Sequence, residues 1–134
     1  MTVLVNDTGF TQDTWDKGYT EFGEAANDVI ALDVPSDVDP KDIEITPSLE
    51  MVRIDFPSFA DGRGFTIARM LRLAGYKGRL RARGHVIADQ YAMARRTGFD
   101  EVEISDELAA RQPQEQWQFR ADWKDNDYQA RMRG

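Results

Sequence analysis

The chain has 134 residues, a formal net charge of −7, one histidine and no cysteine, so it suits a single domain with a real core and at most one site, without room for separate cofactor and substrate domains. The absent cysteines exclude a disulfide framework, a thiolate-held iron–sulfur cluster and a cysteine nucleophile, and a lone His85 excludes a structural zinc site or a two-histidine metal motif from one chain. Lys and Arg stand 10 to 3 against Asp and Glu over residues 53–99, but 2 to 12 over residues 1–52 and 5 to 9 over residues 100–134, a sorting that predicts a basic functional surface inside an acidic protein.

Residues 1–26 mix Phe10, Trp15, Tyr19 and Phe22 with polar and acidic residues without a sustained period, and read as an irregular arm. An α/β core is expected over residues 27–105. Its first strand is Val29 to Val34, β-branched and stopped by Pro35. Asp39-Pro40 reads as a helix start, aspartate at the N-cap and proline next, and Thr46-Pro47 limits it to a turn or two. Met51 to Phe56 alternates as a strand ended by Pro57. A first helix is expected from Phe65 to Ala74, with Ile67, Met70, Leu71 and Ala74 on its apolar face and Gly75 as its cap. The cycle repeats as a strand at Arg79–Arg83, a loop at Gly84-His85 and a helix from Val86 to Thr97 capped by Gly98. A fourth strand spans Val102 to Ile104.

Strands alternating with short helices imply a small parallel sheet of βα units with the helices mainly on one face, half-barrel-like in shape. The strand parity agrees, because Arg53, Asp55, Arg79, Arg81, Arg83, Glu101 and Glu103 all fall opposite the apolar positions. A sheet covered on both faces would not alternate in this way. That charged face reads either as a solvated lattice of ion pairs or as a surface meeting a subunit or an anion. Residues 106–134 form an acidic tail that keeps Trp117, Phe119, Trp123 and Tyr128, which favours packing on its own domain over disorder.

The run F-P-x-F-x-D-G-R-G at Phe56–Gly64, A-R-x-L-R at Ala68–Arg72, G-x-L-R-A at Gly78–Ala82 and G-x-V-x-x-D-Q at Gly84–Gln90 closely resembles the domain-of-unknown-function family numbered 934. The resemblance covers about a third of the chain. It implies a link to assimilatory sulfite reduction, since members are described as oxidoreductases of that process from genes neighbouring the reductase. Where members often have a cysteine, this chain has Thr97, so thiol chemistry is not implied. Neither the arm nor the tail carries the family's signature.

Ligands of parallel α/β sheets bind beyond the carboxyl ends of the strands. Gly62, Arg63 and Gly64 there open the first helix, and with Arg83 they form a candidate oxyanion site of backbone N–H groups, helix dipole and guanidinium. His85, with Asp61 or Asp89, is the candidate acid–base set. Gln90, Arg69 and Arg81 are the remaining motif positions. Arg95 and Arg96 complement the end of the second helix. No G-x-G-x-x-G fingerprint follows a strand, since Ile67 stands where the third glycine belongs, and no cofactor is expected.

Three functions remain open: an accessory protein binding sulfite reductase or an oxyanion, a small enzyme acting on a sulfur or phosphate oxyanion compound, and a structural module or homodimer. With no apolar run long enough to span a bilayer and no leader-like N-terminus, a cytoplasmic protein is expected. Its net acidity argues against nucleic acid as the partner.

Overall fold

A computed structural model describes residues 2–24 and 28–121. Seven strands form one sheet: β1 (Thr2–Asn6), β2 (Gly9–Thr11), β3 (Thr20–Glu21), β4 (Ala31–Val34), β5 (Met51–Phe56), β6 (Arg79–Gly84) and β7 (Glu101–Ser105). Their spatial order is β2-β1-β7-β6-β5-β4-β3. β3 through β7 are parallel neighbours in chain order, while β1 runs antiparallel to β7 and forms a hairpin with β2. The helices are α1 (Arg63–Leu73), α2 (Tyr91–Thr97), α3 (Asp106–Arg111) and α4 (Gln114–Phe119).

The α/β class and the parallel centre agree with the sequence. Three differences have physical causes. Residues 1–26 are not an irregular arm, for they contribute β1, β2 and β3. Two of these strands have only two or three residues, too few to show an alternating period. With them the sheet is seven strands wide instead of the four expected. The second helix also starts late: Val86 and Ile87 stay outside it, and a 3-10 turn at Ala88–Gln90 precedes α2. The Gln90 side chain accepts from the Ile87 backbone N–H at 3.0 Å and fixes that turn. Asp39 does cap a single 3-10 turn, Pro40–Asp42.

One face of the sheet carries the core. Val52, Ile54, Phe56, Leu80, Val102 and Ile104 are buried against Ile67 and Leu71 of α1 and Tyr91 of α2. The tail closes this layer: Trp117 of α4 is 1 % exposed, meets the Tyr91 ring edge-on at 6.1 Å and donates its indole N–H to Gln112 O. Trp123 and Tyr128 lie outside the described residues.

The opposite face is ionic and nevertheless partly buried. Register sets Asp33, Arg53, Arg81 and Glu101 in one row across β4, β5, β6 and β7, and sets Asp55, Arg83 and Glu103 in the next. Arg81 is 0 % exposed. Its guanidinium donates to Glu101 at 2.7 Å, Glu103 at 2.9 Å and both oxygens of Asp13 at 2.8 and 2.9 Å. Glu103 also accepts from Arg53 at 3.2 Å, so one carboxylate separates two arginines that register would otherwise leave facing each other.

Asp13 reaches this point because β2 and β3 sit at opposite edges of the sheet. Residues 12–19 must therefore span the width of the sheet between its two edges. This strap runs over the charged face. Tyr19 lays its ring on Arg53 at 3.7 Å, and Asp13 seals Arg81.

Arg81→Ala is expected to destabilise the fold by about 3–5 kcal/mol in urea unfolding, since it leaves Glu101 and Glu103 buried and uncompensated. Asp13 is held below its ordinary 3.8 chiefly by the hydrogen bonds from Arg81. A carboxyl depressed by folding contributes fully above its unfolded value and loses that contribution as pH falls through the folded one. The melting temperature of the natural protein should therefore fall more steeply than that of Asp13→Asn between about pH 5 and about pH 3. Parallel acid profiles would remove Asp13 from the account.

Candidate functional site at the carboxyl end of the sheet

Three loops meet where β5, β6 and β7 end, and glycine geometry decides how closely. Gly84, at φ 111°, turns the chain so that His85 N–H donates to Phe56 O at 2.9 Å. A Cβ at Gly84 would stand 2.7 Å from that same oxygen, in a backbone region where side chains are disfavoured. Gly64 lets α1 close on β5, for a Cβ there would meet the Phe56 ring at 2.5 Å. Gly64 therefore serves helix–strand packing.

The loops enclose a cleft of about 390 Å³ lined by Phe59, Gly84, His85, Ser105, Leu108 and the Glu107–Arg111 pair. Phe59 is 44 % exposed and meets the His85 ring edge-on at 5.2 Å. His85 is exposed, with Nδ1 3.3 Å from Phe56 O. Gln90 holds the mouth together, donating from its side-chain amide to Phe59 O at 3.0 Å while its oxygen accepts from Ile87.

The predicted acid–base partners of His85 are engaged elsewhere. Asp61 accepts from Arg63 N–H at 3.0 Å, from the Arg63 guanidinium at 2.7 and 3.0 Å and from Ser36 at 3.0 Å. The Arg63 hydrogen bonds hold its carboxyl well below the usual carboxylate range, so it stays ionised and has no proton to give near neutral pH. Asp89 accepts from Arg120 at 2.9 Å. Among the described residues, neither carboxylate is hydrogen-bonded or ion-paired to His85.

The predicted anion site is likewise filled from within. Arg63 turns back onto Asp61 and Ser36, so the chain's own carboxylate takes the place an oxyanion would have beside Gly62 at the start of α1. Arg81 is locked in the ionic face, Arg69 is exposed on α1, and Arg83 belongs to a different cleft beside Asp33 and Asp55. Among the described residues no group of three or more His, Asp or Glu side chains is placed to hold a metal ion.

Sequence reasoning did not single out Phe59 or Arg120, and it expected Phe119 to pack on its own domain. Phe119, 73 % exposed on α4, lines a second cleft of about 300 Å³ with Asp89 and Arg120. The 3-10 turn at Ala88–Gln90 joins the two clefts, because Gln90 holds the Phe59 loop and Asp89 holds Arg120.

The family described as "Bacterial protein of unknown function (DUF934)" matches residues 31–134, and the chain belongs to it. Neither a curated protein nor a solved structure matches the chain. The match covers the parallel core and the carboxyl-end loops, while β1, β2, β3 and the strap precede it.

Removing the amide clamp in Gln90→Ala should cost about 1–2 kcal/mol of stability. It should also speed amide hydrogen exchange across residues 57–62. Exchange there at the natural rate would show that the loop does not depend on Gln90.

Proposed function

We propose that this protein is a non-catalytic accessory of assimilatory sulfite reduction in the cytoplasm, binding sulfite reductase through the aromatic surface around the two carboxyl-end clefts. The observation that carries the reading is the exposure of Phe59 at 44 % and Phe119 at 73 %, each bordered by charged groups that already have partners. Exposed aromatics framed by polar residues are typical anchors of protein interfaces. A catalytic site would instead need a base and an acid converging on one point, and Asp61 and Asp89 are drawn away from His85 by Arg63 and Arg120.

The choice of sulfite reductase as the partner rests only on what the resemblance of the motif run from Phe56 to Gln90 implies, through genes that neighbour the reductase. An oxyanion bound at Arg63 is the weaker reading, since it must displace Asp61 from two guanidinium contacts. Self-association through the same aromatics is read out by the same experiment.

Light scattering after size exclusion, on the protein alone and mixed with the reductase of its own organism, tests the proposal. A one-step complex is expected, weakened by about tenfold or more in the double variant Phe59→Ala, Phe119→Ala, as for interface anchors. Absence of a complex at micromolar concentration, or a complex indifferent to both substitutions, would sink it.

A further inference from the structure

The ionic face ends in two side chains that its hydrogen-bond network does not use. Within the row Asp33, Arg53, Arg81 and Glu101, every charged group is hydrogen-bonded. Next toward the carboxyl end, Asp55 and Arg83 stand opposite each other in register on β5 and β6. Arg83 lies 3.8 Å from Asp33 Oδ2 and 3.8 Å from Glu103 Oε2, beyond hydrogen-bond range. Its guanidinium thus has attraction from two sides and no hydrogen bond among the described residues. Asp55 is half-buried and makes neither hydrogen bond nor ion pair among them.

Both side chains line one cleft of about 290 Å³, with Phe22, Val34 and Pro35 as apolar walls and Glu21 and Asp33 at its rim. That volume is near the lower end, about 300 Å³, of small-molecule sites. Charge selects what fits. A simple anion drawn to Arg83 would also face Asp55, Asp33 and Glu21, and a simple cation drawn to Asp55 would face Arg83. A molecule bearing both charged groups on one carbon satisfies the two side chains together: its carboxylate accepts from the guanidinium fork and its ammonium donates to the Asp55 carboxylate. The apolar walls then take a hydrocarbon substituent.

We infer that this cleft binds a free α-amino acid with an apolar side chain, its carboxylate on Arg83, its ammonium on Asp55 and its side chain against Phe22, Val34 and Pro35. None of these residues lies on the aromatic surface assigned to the partner, so the two readings stand or fall separately.

The test is a titration of the isotope-labelled full chain with leucine, N-acetyl-leucine and leucine methyl ester, followed by amide chemical shifts. Leucine should move the amides of Phe22, Asp33, Val34, Asp55, Arg83 and Gly84 in a saturable way. The acetylated and esterified forms, each lacking one charge, should bind about tenfold more weakly or worse, as expected for losing one charge-assisted hydrogen bond. Asp55→Asn and Arg83→Gln, first confirmed to melt like the natural protein, should show the same loss. No saturable shift at millimolar leucine, or derivatives binding as tightly as leucine, would overturn the inference. The derivatives decide it even if either variant fails to fold.

Discussion

A guanidinium with no exposure to water organises this molecule. Arg81 cannot shed its charge, so all its donors must be met within the fold. β7 supplies Glu101 and Glu103 from one side, and the strap supplies Asp13 from above. Such clusters add little net stability, because desolvation offsets much of the Coulomb attraction. Their effect is on arrangement: sliding β7 by one residue along β6 would swap its glutamates for Val102 and Ile104 on this face and strand the arginine. The ionic row thus fixes strand register, and the crossing of residues 12–19 follows from the same need.

The carboxyl end has a different character because of how the sheet is wound. β3 through β7 follow one another in order, so the strand order never reverses within the parallel part. The deep crevice that a reversal opens in doubly wound sheets is therefore not built here. The loops instead form separate clefts, one walled by Phe59 and His85 and another by Phe22 and Pro35.

The strands β4 to β7 and α1 were legible in the sequence because each carries its own period and its own stop, Pro35, Pro57, Gly75 and Gly98 among them. The first three strands were not, since β2 and β3 have only two or three residues, too few to show a period. Arg81 was legible as a face and not as a buried residue. Its parity placed it opposite the apolar positions, but a strap crossing above has no signature at the strand it covers. The connections expected among the candidate site residues differ from those in the structure. Asp61 and Arg63 are two residues apart and satisfy each other, a local pairing that outcompetes the converging geometry expected of them.

The sorted charge of the chain finds its meaning in this pairing. The sequence pointed to a basic surface over residues 53–99, yet acids from the first third reach those arginines in space. Asp33 takes Arg53, Asp13 takes Arg81 and Asp7 takes Arg95, while Glu101 and Glu103 approach from the other side. Charge that is segregated along the chain is thus brought together across the sheet. What the interior leaves over includes an arginine and an aspartate side by side at the end of β5 and β6, together with exposed apolar side chains such as Phe59, Leu73, Met93 and Phe119.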